Sequence, residues 1–236
     1  MNSSTRIAVV VALLLLPASS VSTQTAVDPS GHWEGKIEVP GMDIAFEVDL
    51  AKAAGAYAGT VGIPSQKLKG LPLVKVAVEG KTVTFAVRTD QTMTGDLSDD
   101  GKTMSGTFAG AAGSVPFIMT RTGDARVAPL ATSAPIGQDL EGTWISTIED
   151  TGNHVVLTLT NHADGTATGS LVNQTEGGLQ IPVRVTQNGA SVTFAATVLE
   201  GSFAGALNAT GTELAGTWKE GTVSKTITFR KSHGFR

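Results

Sequence analysis

Apolar and polar residues alternate with a period of two along most of the chain. Over residues 44–50, Ile, Phe, Val and Leu alternate with Ala, Glu and Asp, and residues 74–78 and 83–87 follow the same pattern. Alternation of this kind, rich in Val, Thr and Phe, predicts antiparallel strands with one buried face. Asp-Gly at 164–165 and Asn-Gly at 188–189 indicate tight hairpins, because both residue types tolerate positive φ. After residue 22, no window of twelve residues has the apolar stripe of a helix.

The second half of the chain repeats the first. Gly31-x-Trp33 returns as Gly142-x-Trp144, an offset of 111 residues. Leu71-Pro72 returns as Ile181-Pro182 at an offset of 110, and Val-Thr-Phe at 83–85 returns at 192–194, an offset of 109. A nearly constant offset predicts two copies of one module, repeat 1 at 28–122 and repeat 2 at 140–232. Residues 123–139, with Pro129 and Pro135, are predicted to be a linker.

Each copy has room for eight short strands joined by hairpins. In repeat 1 these are predicted at 31–39, 42–50, 56–62, 71–79, 81–88, 91–97, 102–108 and 114–121. An up-and-down meander of this size removes its exposed edges by closing on itself. The predicted fold is therefore all-β: two tandem eight-stranded up-and-down antiparallel β-barrels. The longest connection inside each copy falls at 62–70 and at 172–179.

Two features at the ends of each copy carry a family resemblance. Gly-x-Trp lies on the first strand, and a basic residue, Arg121 or Lys231, ends the last strand. This resembles the signature of lipocalins and the wider calycin group. The fuller pattern, with an apolar-Pro pair, Asp-Gly hairpins and a Gly-Thr-aromatic strand, is similar to the N-terminal non-catalytic module of many secreted bacterial α/β-hydrolases. The resemblance implies that Trp33 with Arg121, and Trp144 with Lys231, close the floor of each barrel.

The first 22 residues have the pattern of a secretory signal peptide. A polar start with Arg6 precedes ten apolar residues at 7–16, and Pro17 and small residues follow. Ten residues of helix span only ~15 Å, against ~30 Å of hydrocarbon in a bilayer, so stable membrane insertion is not expected. We expect residues 1–22 to be removed and the protein to be secreted or periplasmic.

Charge and cysteine content exclude several classes of partner and chemistry. Removing Arg6 with the signal peptide would change the net charge from −4 to −5, and the basic residues are scattered, so no nucleic-acid partner is expected. The sequence has no cysteine, which excludes disulfides and thiolate metal sites.

No catalytic or metal-binding constellation is found in the sequence. Gly-x-Ser-x-Gly, the nucleophile motif of α/β-hydrolases, does not occur. Asp96-x-Ser98-x-Asp100-Gly101 opens like a calcium loop, but Thr107 stands where the bidentate Glu is needed, so a hairpin tip is expected. His154 and His162 share a predicted strand but lie ~26 Å apart along it. We therefore predict no catalytic residues, no metal and no cofactor.

The candidate ligand-binding residues are those predicted to point into the barrels. They are Phe46, Phe85, Phe108, Met119, Leu157, Phe194, Phe203 and Trp218. Eight strands enclose a space that is either filled by side chains or holds one small ligand, and the sequence leaves both alternatives open. An empty apolar chamber at the end that carries residues 62–70 or 172–179 would favour ligand binding.

The sequence supports two hypotheses about function. The first is an exported non-catalytic protein that binds a small apolar molecule or a secreted protein partner. The second follows from the resemblance and makes the chain an accessory module of a secreted α/β-hydrolase system whose catalytic domain is not in this chain.

Overall fold

The computed structural model describes residues 27–111, 113–175 and 177–232, and within them it is an all-β protein. Seventeen strands occupy these residues, and the helical segments are two single 3₁₀ turns, Pro64–Gln66 and Thr197–Leu199. The predicted fold class is confirmed. The predicted signal peptide lies outside the described residues. Within the described ranges, no helix has the length and apolar character needed to cross a bilayer.

Repeat 1 forms one curled antiparallel sheet of nine strands. In chain order they are β1 Gly31–Val39, β2 Met42–Ala53, β3 Ala56–Ile63, β4 Leu68–Pro72, β5 Lys75–Glu79, β6 Thr82–Arg88, β7 Gln91–Leu97, β8 Thr103–Gly110 and β9 Gly113–Gly123. Strand β1 pairs with both β2 and β9, so the order across the sheet is β4-β3-β2-β1-β9-β8-β7-β6-β5. The predicted fourth strand is here two strands, β4 and β5, which form the two ends of the sheet.

Repeat 2 closes into an eight-stranded barrel. Its strands are β10 Gly142–Ile148, β11 Asn153–Asn161, β12 Ala167–Asn173, β13 Gln180–Asn188, β14 Ser191–Ala196, β15 Gly201–Leu207, β16 Glu213–Glu220 and β17 Val223–Lys231. Each strand pairs with the next along the chain, and pairing of Trp144 with Lys231 joins β10 to β17. Strand β13 is continuous and pairs with β12 through its first half and with β14 through its second half.

One additional residue accounts for the interrupted strand of repeat 1. Two residues, Leu73 and Val74, lie between Pro72, the last paired residue of β4, and Lys75, which lies opposite Ala86. In repeat 2 only one residue, Val183, lies between the equivalent Pro182 and Arg184, which lies opposite Ala195. An extra residue in one strand disrupts the ladder locally and bends the strand. The two residues between β4 and β5 still bond to both neighbouring strands, because Leu73 N donates to Gly59 O of β3 and Val74 N donates to Ala86 O of β6.

The strand pairing gives each repeat two distinct ends. The end that contains Trp33 or Trp144 is called the floor. The opposite end, called the mouth, carries the β1–β2, β3–β4, β6–β7 and β8–β9 connections of repeat 1 and the equivalent connections of repeat 2. The long connections at 62–70 and 172–179 therefore lie at the two mouths.

The segment between the repeats is attached to the wall of the second barrel. Ser133 forms an isolated antiparallel bridge with Ala167, and its Oγ accepts a hydrogen bond of 2.8 Å from Val185 N. Ser133, Ile136 and Leu140 are all buried. The second half of the predicted linker is thus part of the packing of repeat 2.

Candidate functional site

A tryptophan and a cation lie at the floor of repeat 1. Trp33 is fully buried, and its Nε1 donates 2.9 Å to Pro29 O. The Arg121 guanidinium carbon lies 4.9 Å from the Trp33 ring centroid, and Nη2 donates to Asp28 O. The Arg121 side chain therefore joins the ring to the segment that precedes β1.

The floor of repeat 2 has the same arrangement. Trp144 is fully buried and donates 2.8 Å to Leu140 O. Lys231 Nζ lies 5.3 Å from the Trp144 ring centroid and donates 2.7 Å to Asp139 O. Cation–π contacts of this kind contribute roughly 0.5–2 kcal/mol. Both floors are closed by side chains, so a ligand can enter only elsewhere.

Above the floor of repeat 1, aromatic rings fill the centre of the sheet. Phe117 makes edge-to-face contacts with Phe46 and with Phe85, each with ring centroids 6.2 Å apart. Phe85 and Met119 are buried, and Phe108 is half-buried. The predicted inward residues of this repeat therefore do lie in its interior.

The aromatic cluster of repeat 2 is arranged differently. Phe194 and Phe203 stack with centroids 4.6 Å apart and planes 12° from parallel, and Phe229 packs edge-on against both. Trp218 lies 6.1 Å from Phe194, and its Nε1 donates 3.3 Å to Glu220. Leu157 is fully buried. These rings pack into the interior of the barrel without filling its mouth.

A chamber opens at the mouth of repeat 1, with a volume of about 300 Å³. It is lined by Ile37, Val39, Ile44, Phe46, Val61, Ile63, Gln66, Val87, Arg88, Gln91, Met93, Phe108, Gly177 and Leu179. We call it the first chamber. Its walls are apolar except for Gln66, Arg88 and Gln91, and the Arg88 guanidinium is paired with Asp90 at 2.7 Å.

A second chamber, of about 330 Å³, opens at the mouth of repeat 2. It is lined by Ile148, Thr151, Asn153, Val155, Leu171, Asn173, Leu199, Trp218, Glu220, Val223, Lys225, Ile227 and Phe229. Lys225 Nζ lies 2.7 Å from Asp150, and this contact holds the pKa of Asp150 below its ordinary value. Because the Lys225 charge is balanced locally, the second chamber is not an anion site.

Equivalent positions in the two repeats show how the walls of the two chambers differ. The pairing registers make Val155 the counterpart of Phe46, and Ile227 the counterpart of Phe117, so two large rings are missing from the second mouth. Asn153 and Asn173 stand where repeat 1 has Ile44 and Ile63. The second chamber thus combines apolar walls with neutral amides.

The chambers include only some of the predicted ligand-binding residues. Phe46 and Phe108 line the first chamber and Trp218 lines the second. The other five, which line neither chamber, are Phe85, Met119, Leu157, Phe194 and Phe203. The lining residues nearest the mouths are not among those predicted from the sequence. Ile44 has the same parity as Phe46 and could have been found, whereas Leu199 lies in a 3₁₀ turn and Leu179 lies just before β13.

A third cavity, of about 370 Å³, is an open cleft on the outside, between the repeats. It lies where Pro72, Leu73 and Val74 of repeat 1 approach the outward-facing Thr158 and Ser170 of repeat 2, with Leu130 at its edge. The cleft therefore arises from the contact between the interrupted strand of repeat 1 and the outer face of repeat 2.

The described histidines and several carboxylates are engaged in structural contacts. His32 Nδ1 lies 3.0 Å from Asp49 Oδ1, and the same oxygen accepts from Arg126 N at 2.8 Å. His154 contacts Thr147, and His162 contacts Thr168. Among the residues that the structure describes, no three His, Asp or Glu side chains come together as a metal site. At the predicted hairpin tip, Ser98 Oγ donates 2.6 Å to Asp100, which holds the pKa of Asp100 below its ordinary value.

Comparison with known proteins shows distant similarity in structure alone. No family model matches the chain, and no curated protein does. A protein of unknown function of the DUF3598 family from Nostoc punctiforme is 10% identical, with a TM-score of 0.27, over 86% of this chain and 96% of that one. MucB, in a structure of its complex with MucA(peri), is 12% identical, with a TM-score of 0.20, over 85% and 86% of the two chains.

Proposed function

We propose that this chain is an exported, non-catalytic binding protein that holds a small apolar molecule in the mouths of its two repeats. The observation that carries the proposal is the pair of apolar chambers, each open at the mouth and closed by a tryptophan at the floor. Ligand pockets in proteins are concave, mostly apolar and of ~300–1,000 Å³, with a few polar groups that orient the ligand. Both chambers fall at the lower end of that range.

The character of each wall supports a ligand that is largely uncharged. The guanidinium in the first chamber and the ammonium in the second are each paired with an aspartate, so neither is left to bind an anion. The apolar walls stabilise a bound ligand by removing its hydrocarbon surface from water, at ~25 cal/mol per Å². The amides of the second chamber suit a ligand that also carries a neutral polar group.

The test is to fill the second chamber with side chains that repeat 1 already carries at the equivalent positions. Val155→Phe combined with Ile227→Phe restores the aromatic content found at Phe46 and Phe117. The added volume can enter only the second chamber, because the layer beneath is packed by Phe203 and Phe229. We expect the variant to fold and to bind at least ~10-fold less of an apolar fluorescent probe in that chamber, while binding in the first chamber is unchanged.

The matched control is Val156→Phe, which makes the same change on the outward face of the same strand. We expect it to bind the probe as the unaltered protein does. Titration with the probe, together with native mass spectrometry, gives affinity and stoichiometry. If the unaltered protein takes up no apolar molecule, the chambers are not binding sites, and a protein partner or a hydrolase-associated role becomes the better hypothesis.

A further inference from the structure

The mouths of the two repeats lie against each other, and residues of each repeat line cavities at the mouth of the other. Gly177 and Leu179, from the long connection of repeat 2, line the first chamber of repeat 1. In turn, Gln66 and Leu68 of repeat 1 lie beside the mouth of repeat 2. Lys69 Nζ donates 2.7 Å to Glu200 Oε1 across the same boundary, which raises the pKa of Lys69 and lowers that of Glu200.

A separate void of about 450 Å³ lies at this boundary. It is lined by Gln66, Leu68, Asn173, Leu179, Ile181, Leu199 and Glu220, and we call it the junction cavity. Three of its seven lining residues are polar, so it is more polar than the first chamber.

The junction cavity shares walls with both chambers. Gln66 and Leu179 line the junction cavity and also the first chamber. Asn173, Leu199 and Glu220 line the junction cavity and also the second chamber. The three voids are therefore neighbours in the order first chamber, junction cavity, second chamber, with an apolar space at each end and polar groups in the middle.

We propose that the two repeats together bind one two-chain amphiphile, with one hydrocarbon chain in each chamber and the polar linkage of the two chains at the junction cavity. This inference rests on the proposed function of the chambers. A diacylglycerol-type lipid has the required chemistry, because two apolar chains leave one small, polar, uncharged linkage. The amides of Gln66 and Asn173 and the carboxylate of Glu220 line the junction cavity, where that linkage would lie. A compact apolar molecule would occupy one chamber only and would not contact the junction cavity that lies between the two chambers.

The number of chains per ligand gives a direct test with the full chain. Dioctanoylglycerol and monooctanoylglycerol are both uncharged glycerol esters with eight-carbon chains, and they carry two chains and one chain respectively. We expect two molecules of monooctanoylglycerol per protein but one of dioctanoylglycerol, bound at least ~100-fold more tightly, because the second chain binds intramolecularly.

Blocking one chamber at a time separates this proposal from simple apolar affinity. We expect Val155→Phe with Ile227→Phe, or Ile44→Trp in the first chamber, to reduce dioctanoylglycerol affinity to the level of monooctanoylglycerol. Each variant should still bind one molecule of the single-chain lipid, and Val156→Phe should behave as the unaltered protein. Retention of full dioctanoylglycerol affinity in either blocked variant, or two dioctanoylglycerols per protein, would overturn the two-chain proposal and leave the proposed function standing. Binding of neither glyceride would overturn both.

Discussion

Arg121 and Lys231 perform the same task with different chemistry. Each lies over its tryptophan and donates to the carbonyl of Asp28 or Asp139, in the segment that precedes the first strand of its repeat. Arg121 has one cost that Lys231 lacks, since its Nε is buried without a hydrogen-bond partner among the described residues. An unsatisfied buried donor lowers stability by about 1–3 kcal/mol. This loss offsets part of the stabilisation that the Arg121 guanidinium provides relative to an ammonium.

Two substitutions at Arg121 separate these effects. Arg121→Met keeps an apolar stem but loses the cation–π contact and the hydrogen bond to Asp28 O, so we expect the free energy of unfolding to fall by about 1–2 kcal/mol. Arg121→Lys reproduces the arrangement of repeat 2, and we expect it to recover most of that loss. Urea unfolding of the two variants checks this. Equal losses for both would show that the charge over Trp33 contributes nothing.

At the scale of elements, Ser133 determines how the segment between the repeats is held. Its backbone pairs with the edge of β12, and its hydroxyl accepts from Val185 N of β13. These contacts lie where β13 shifts from pairing with β12 to pairing with β14, a place where the barrel ladder leaves backbone groups without strand partners. The segment thus completes the wall of the second barrel.

Ser133→Ala tests that role. The substitution leaves the buried Val185 N–H without its acceptor, and we expect a loss of about 1–3 kcal/mol in the stability of repeat 2. Thr132→Ala, at the exposed neighbouring position, is the control and should change stability by no more than ~0.5 kcal/mol. Hydrogen exchange at Val185 gives the local readout. Unchanged exchange in Ser133→Ala would show that the serine hydroxyl is dispensable.

Much of the element structure could be predicted from the sequence because side-chain parity is a local property. Strands β1 and β7 were predicted with the bounds observed, and β2, β3 and β6 with an error at one end. The additional residue at Leu73 and Val74 is also visible in the sequence. The offset between the repeats falls from 110 at Pro72 to 109 at Val83, so repeat 1 has one residue more than repeat 2 between these positions. The effect of the additional residue on the strand ladder depends on how Leu73 and Val74 pair with β3 and β6. That pairing cannot be derived from the local sequence pattern.

At the scale of the whole molecule, the chambers were less predictable than the interiors. Large inward residues such as Phe85 and Phe194 were identified by parity, but they form the packed layer and line no chamber. The walls of the mouths depend on which rings are absent, as at Val155 and Ile227, and on how the repeats meet. Leu179 lines the first chamber across the boundary between repeats, and no local pattern could place it there.

The position of a bound apolar ligand tests the central claim most directly. A crystal of the full chain soaked with a brominated alkyl alcohol would show bromine by anomalous scattering. We predict bromine peaks in the first chamber between Ile44 and Val61, and in the second chamber between Trp218 and Ile227. Bromine confined to the outer cleft beside Leu130, with both chambers empty at saturating alcohol, would contradict the account.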